Sequence, residues 1–314
     1  MSSIENRSDC DPQPLSQNFE AHDSSIGMHI SLPAHQRDCD ACLIDAERQF
    51  VKLNTRLGQQ AAIADSLRKT LLPRVLPRVD TLDIAIRYRA GDADALIGGD
   101  FYDVFEISPS RFAIVVGDVC AKGFAAAAEV AALRNMVRYA LYSDPRITNT
   151  LTELNRILIE HRLLTNSATL FVAIFDSRSC QLRYASCGHE PAAVIRNTTP
   201  PRVEMLLPNG PVIGTKLDNP IGSALCELQP GDTLIVFTDG LLHGDPTRLG
   251  ENSVANVLKA TEDVGTHATA TEIVARILGD VCWRSDVRNA DDVCLLVAKV
   301  GADASARNCC SESL

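Results

Sequence analysis

Two Gly-Asp pairs, Gly99-Asp100 and Gly117-Asp118, stand eighteen residues apart, each at the edge of an apolar run that reads as a strand, "DFYDVFEI" and "RFAIVVGD". The intervening "SPSR" reads as a tight turn, so the runs form an antiparallel hairpin with both acidic ends on the same side. Downstream, "DTLIVFTDG" closes a third apolar run at Asp239-Gly240, and "ADDVCLLVAKV" opens a fourth at Asp291-Asp292. Singly, Gly and Asp are ordinary turn formers. Gathered at one site, four acidic strand ends would repel, because neighbouring carboxylates raise each other's pKa and destabilise the fold. Divalent cations remove that problem. The donors are all oxygen, with no paired His or Cys at metal spacing nearby, which selects Mg2+ or Mn2+ over Zn2+. Two such ions sharing a carboxylate would hold and acidify a water for in-line attack on a phosphoryl group.

The elements that must carry these residues are legible beyond Pro77. Strand-like runs follow one another as "LDIAIRYRA", "DFYDVFEI", "RFAIVVGD", "TLFVAIFD", "CQLRYASC", "AAVIR", "DTLIVFTDG" and "VCLLVAKV". The turns "SPSR", "SRS" and "QPGD" favour antiparallel hairpins over crossovers. Helical stretches are expected over 122–142, 147–164 and 268–283. Strands in groups and helices in groups predict an α+β fold, with helices covering antiparallel sheets.

Ahead of this body, Leu43, Ala46, Phe50, Leu53, Leu57, Gln60, Ala64, Leu67 and Leu71 alternate spacings of three and four, and all but Gln60 are apolar. That is a coiled-coil seam, and Gln60 at a seam position could set the register of a dimer. The stripe needs a surface to cover it, either a second copy or partner, or the chain's own globular body. Pro73 and Pro77 stop the helix. The expected organisation is a flexible tail over 1–38, a regulatory helix over 39–75, a catalytic domain over 76–301 and a short tail over 302–314.

Composition narrows the function classes. The net charge of −10, with scattered basic residues, argues against a nucleic-acid surface, which needs clustered Lys and Arg. The N-terminus lacks a signal-peptide pattern, and no apolar run reaches the roughly 20 residues needed to span a bilayer; a cytoplasmic location is the expectation. Eleven cysteines, an odd number at irregular spacings, read as free thiols in a reducing compartment.

In order and spacing, "GGDFYDVF", "GDVCAKGFAAA", "SCGHEPA", "GPVIGT", "PGDTLIVFTDG" and "ADDVCLLV" resemble the metal-dependent serine/threonine protein phosphatases (PPM class). The likeness is to the bacterial branch that includes the stage II sporulation protein E type and the sigma-factor regulators. It covers about residues 70–300, and "ADSLRKTLLP" resembles the helix that precedes the catalytic domain in that branch. The resemblance implies an α-β-β-α sandwich with a dinuclear Mn2+/Mg2+ centre at one end of the two sheets. Carried over by position, Asp118 would bridge the ions and the Val119 carbonyl would be a further ligand. Asp100 would hold one ion directly or through water, while Asp239 and Asp291 would bind the other. Asp292 competes with Asp291, and Asp103 stands as a fallback for Asp100. Lys122 would meet the substrate phosphate, and His189 would donate a proton to the leaving group or hold a turn by a hydrogen bond. The substrate implied is a phosphoserine or phosphothreonine protein, an anti-sigma-factor antagonist.

Three departures from the branch pattern bear on activity: Ala121 replaces a usual Gly in the metal loop, Cys294 replaces a common Thr, and His243-Gly244 stand where an acidic residue is common. They keep open a second class, a phosphatase-fold protein of weak or no turnover that acts as a binding partner. Two other chemistries fare worse. Cys282 and Arg288 have the spacing of a cysteine-phosphatase loop but no Gly and an intervening Asp286. His35, Cys39 and Cys42 supply only three zinc ligands.

Overall fold

A computed structural model describes residues 34–73, 75–89, 98–121, 123–216, 220–242, 268–280 and 292–302. The chain divides into two compact units, residues 1–54 and 55–314. In the first, the described part is the beginning of helix α1 (Ala34–Leu71); the remainder of α1 and the other described elements belong to the second. The helix starts ahead of Leu43, where the apolar spacing begins, and stops just before Pro73. Of the expected seam, Phe50, Leu53, Leu57 and Leu67 are exposed, Phe50 to 64%.

The second unit holds two five-stranded sheets in which every pairing is antiparallel. Sheet A runs in the order β1 (Leu82–Arg89), β10 (Val293–Val300), β9 (Thr233–Phe237), β6 (Ala192–Arg196), β7 (Arg202–Leu206). Sheet B runs β2 (Asp100–Ser108), β3 (Arg111–Val119), β4 (Ala168–Asp176), β5 (Gln181–Cys187), β8 (Ala224–Glu227). Helices α2 (Gly123–Ser143) and α3 (Ile147–Glu160) follow β3, and α4 (Ala270–Asp280) precedes β10.

The inner strands β3, β4, β9 and β10 read as continuous apolar runs because both of their faces are buried. Alternate residues separate the layers. Val104, Ile114, Val116 and Phe171 of sheet B meet Val194, Val236 and Leu296 of sheet A in a central cluster. Their neighbours Phe101, Val115, Leu170 and Val172 face outward onto Leu133 and Val137 of α2 and Leu151 of α3. On the other side, Ile235, Leu295 and Val297 pack on Ile273 and Ile277 of α4. Complete burial of a Phe or Leu side chain is worth about 1.5–3 kcal/mol, so the three clusters together fix four layers, α-β-β-α.

The eight expected strands and three expected helices of this body are present, with ends shifted by a few residues. The turn "SPSR" closes the β2–β3 hairpin with a bulge between Glu106 and Ser108 and a left-handed Ser110, φ 69°. "QPGD" does not close a hairpin. It carries the chain from β8 in sheet B to β9 in sheet A, and buried Asp232 organises the crossing: its carboxylate accepts the N–H groups of Asn197 and Gln229, 2.8 and 2.9 Å away, and pairs with Arg196 at 2.7 Å. Two strands escaped the pattern. β7 follows a Pro-Pro pair and alternates exposed with half-buried residues at a sheet edge, and β8 has only four residues.

Candidate functional site

The strand register brings the acidic ends together. Asp100, the first residue of β2, lies directly opposite Asp118 near the end of β3, and Asp118 lies opposite Thr169 of β4. Asp118 has the parity of Val116 and Ile114, which face the space between the sheets. From sheet A, Thr238 follows β9 with the parity of Val236, and Asp292 leads into β10 with the parity of Cys294 and Leu296. Asp239 then opens a short 3-10 turn, Asp239–Leu241. Side chains from two sheets thus project at one end of the central layer.

They share one electrostatic environment. Asp100 is 3% exposed, and its carboxyl is pushed well above the usual carboxylate range by burial first, then by the charge of Asp118, with further contributions from Asp292 and Asp239. A hydrogen bond from Thr238 acts in the opposite direction. Among the described residues, no three His, Cys, Asp or Glu side chains close on a single point. What the cluster presents is a concentration of negative oxygen donors that a hard divalent cation would relieve, and the donor set fits Mg2+ or Mn2+.

Glycines let the loops come this close. A Cβ on Gly99 would lie 2.2 Å from the Val119 carbonyl oxygen and 2.6 Å from Asp118 Oδ1. One on Gly98 would fall 1.6 Å from Asp292 Oδ2, and one on Gly240 would fall 1.8 Å from the Asp292 carbonyl oxygen. The Gly99 N–H donates to Asp292 Oδ2 at 2.9 Å, and the Val119 N–H donates to the Gly99 carbonyl at 3.0 Å. The Val119 carbonyl also accepts the Ala121 N–H at 2.6 Å. Cys120 and its neighbours are braced from behind: the Cys120 N–H donates to the Ser167 carbonyl at 2.9 Å, and Asn166 Nδ2 donates to the Cys120 carbonyl at 2.8 Å.

Asp103 sits elsewhere. Three residues beyond Asp100 it faces the helices, where Arg138 holds it with two bonds of 2.9 and 2.6 Å and the Arg134 guanidinium stands at 3.7 Å. It serves as the anchor of α2 on β2. His189 is 2% exposed and its Nδ1 is 2.9 Å from Thr169 Oγ1, one strand across from Asp118. Burial lowers its pKa to about 4, with the Phe237 backbone opposing in part, and Nε2 has no hydrogen-bond partner among the described residues. At neutral pH it is therefore an uncharged, buried ring. Cys294 lies in the central cluster, its thiol raised by burial and by Asp100.

Lys122, Asp291, His243, Cys282 and Arg288, and the side chains of His35, Cys39 and Cys42, lie outside the described residues. Thr238 and Gly98 were not singled out from sequence. The available signal was parity for Thr238, which continues the inward row of β9, and the doubled Gly98-Gly99 before an acidic strand. A groove of about 420 Å3 lined by Arg111, Arg146, Arg183 and Asp176 lies at the opposite end of β3 from Asp118, away from the carboxylates.

A family model described as stage II sporulation protein E (SpoIIE) matches residues 108–301. Among curated proteins, phosphoserine phosphatase RsbU of Bacillus subtilis (strain 168) is 27% identical over 252 residues, 79% of this chain and 72% of RsbU. Protein IcfG of Synechocystis sp. is 26% identical over 236 residues, 62% of this chain; the chain spans only 36% of the length of IcfG. The solved structure of the RsbU and RsbW domains of Rv1364c from Mycobacterium tuberculosis matches with a TM-score of 0.62 at 25% identity, covering 74% of this chain and 63% of that one.

Proposed function

The chain belongs to the SpoIIE family, and from that membership and the geometry of its carboxylates we propose that it is a metal-dependent protein serine/threonine phosphatase. The observation that carries the reading is the meeting of Asp100 and Asp118 of sheet B with Asp239 and Asp292 of sheet A in one electrostatic cluster, beside the Val119 carbonyl. Asp118, Asp100, Asp239 and the Asp291-Asp292 pair, with the Val119 carbonyl, are the groups that would hold the metal ions.

Bound Mn2+ or Mg2+ would supply Lewis-acid activation of a water and neutralise the phosphoryl oxygens. The chain's own part is positional. Gly98 and Gly99 bring the β2 lead-in against the lead-in of β10, and the Ser167 and Asn166 contacts hold the loop that carries Val119. Lys122 would meet the substrate phosphate as a point charge. His189 holds Thr169 beside Asp118 and, being neutral, adds no positive charge to compete with the cations.

The relatives support a reading of the substrate class. RsbU is named a phosphoserine phosphatase, and the solved relative joins RsbU and RsbW domains; the substrate proposed here is a phosphorylated anti-sigma-factor antagonist in a sigma-factor pathway. The exposed stripe of α1 is the input, pairing with a second copy or a signalling partner.

The test is phosphate release from a phosphoserine protein with Mn2+, Mg2+ or chelator, for the natural chain and Asp118→Asn. Metal-dependent turnover that Asp118→Asn loses by about 10²-fold or more supports the reading. A folded protein that turns over with neither ion sinks it in favour of a phosphatase-fold binding partner, which the Ala121 N–H on the Val119 carbonyl would then explain.

A further inference from the structure

The proposed ligands come from two sheets, and two sheets in contact can slide unless something pins them. At the acidic end, Thr238 is 1% exposed and its Oγ1 lies 2.8 Å from the Cys294 backbone nitrogen and 2.6 Å from Asp100 Oδ2. A backbone N–H can only donate, so Oγ1 accepts from Cys294 and its single proton remains for a second partner. The alternative acceptor, the Cys294 carbonyl, is 3.5 Å away, which leaves Asp100 as the partner with normal hydrogen-bond length. The contact joins β9 and β10 of sheet A to the first residue of β2 in sheet B. It runs alongside the Gly99 N–H bond to Asp292, which ties the same strands in the reverse direction.

We infer that Thr238 is a positioning residue for the metal centre: it fixes one carboxylate oxygen of Asp100 against sheet A, so that carboxylates from the two sheets keep the separation a shared pair of cations requires. This rests on the proposed metal-dependent reading and names the device that sets the geometry. Thr suits the role because its β-branch leaves few χ1 choices at a strand end, whereas Ser would carry the same hydroxyl with more freedom. Val has the same shape without the hydroxyl. It would leave a buried carboxylate oxygen without its donor and the Cys294 N–H without its acceptor, each a costly orphan.

The experiment is Mn2+ binding by titration calorimetry for the natural chain, Thr238→Val, Thr238→Ser and Asp100→Asn, and for Thr238→Val in the Asp100→Asn background. Each is first checked for folding by circular dichroism in chelator. Outer-shell changes of this kind cost about 10–100-fold in metal affinity; Thr238→Val should fall in that range, Thr238→Ser should stay within about threefold of the natural chain, and Thr238→Val should add little once Asp100 is already Asn. Retention of affinity by Thr238→Val, or an undiminished loss in the Asp100→Asn background, overturns the inference while the natural chain still binds Mn2+. A natural chain that binds neither Mn2+ nor Mg2+ removes the metal-dependent reading and this inference together. Should Thr238→Val not fold, Thr238→Cys, which keeps the volume and weakens the donor, takes its place in the same comparison.

Discussion

Replacing Gly99 with Ala asks whether the Val119 carbonyl and the Asp118 carboxylate must sit where they do. The new methyl group would start 2.2 Å from the Val119 oxygen and 2.6 Å from Asp118 Oδ1. Reaching even a 3.0 Å contact requires a retreat of about 0.8 Å by a backbone carbonyl, which cannot rotate aside as a side chain would. The Val119 N–H is bonded to the Gly99 carbonyl, so the two segments cannot part without breaking that bond. A misplacement of about 1 Å at a reacting centre costs on the order of 10²-fold in rate, equivalent to about 2.7 kcal/mol of activation free energy. Phosphate release from a phosphoserine protein, measured across a Mn2+ titration, should fall by that factor, with the Mn2+ requirement moved to higher concentration. Gly58→Ala, in α1 with nothing within 4 Å of the added methyl, is the control; it should leave turnover unchanged and add about 0.5–1 kcal/mol of helix stability. A Gly99→Ala protein that keeps turnover and Mn2+ dependence within about threefold would refute the assignment of Val119 and Asp118 as ligands.

His189 carries a pH signature. Its folded pKa of about 4 lies below the ordinary histidine value near 6.5, so between those limits the unfolded chain binds a proton that the folded chain does not. Stability then rises with pH through this window and is lost on acidification, by up to about 3 kcal/mol. Asp100, with its pKa raised, works in the opposite direction above the ordinary carboxylate range; the informative quantity is the difference between the natural chain and His189→Gln in urea midpoints at pH 7 and pH 4.5. Equal losses for both proteins would show that His189 is not held neutral. For α1, replacing Leu53 and Leu57 with Asp should alter oligomeric state or phosphate release, read by light scattering and turnover, and no change in either would exclude this helix as the input.

The acidic strand ends were legible because they sit at places where local rules already apply: apolar runs give strands, short polar turns give hairpins, and the pairing of β2 with β3 follows. Asp100 opposite Asp118 needs nothing more. The orientation of Asp103 was also implicit, since three residues along a strand reverses the face, but the arginines that claim it lie on α2 and only packing brings them there. Thr238 was hidden for a different reason. Its partners are Asp100 and Cys294, on strands far away in sequence, and no local pattern distinguishes a Thr that bonds across two sheets from one that caps a turn. "QPGD" misled because a tight turn fixes the direction of the chain but not which sheet receives it, and β7 and β8 were too polar or too short to announce themselves.

The pairing of Leu82 with Val300 makes the first and last strands of this body immediate neighbours. β10 lies between β1 and β9, and it brings Asp292 and the Cys294 N–H with it. At synthesis rates of about 5–20 residues per second, β10 leaves the ribosome on the order of 10–40 s after β1. During that interval β2 and β3 can form their hairpin and β4 can pair with β3, while sheet A lacks an inner strand and the contacts that β10 and its lead-in make with sheet B. Long-range closure of this kind also slows folding relative to local contacts. A nascent chain therefore carries the carboxylates of sheet B for much of its synthesis without the Asp292 carboxylate and the Cys294 N–H that reach them from sheet A.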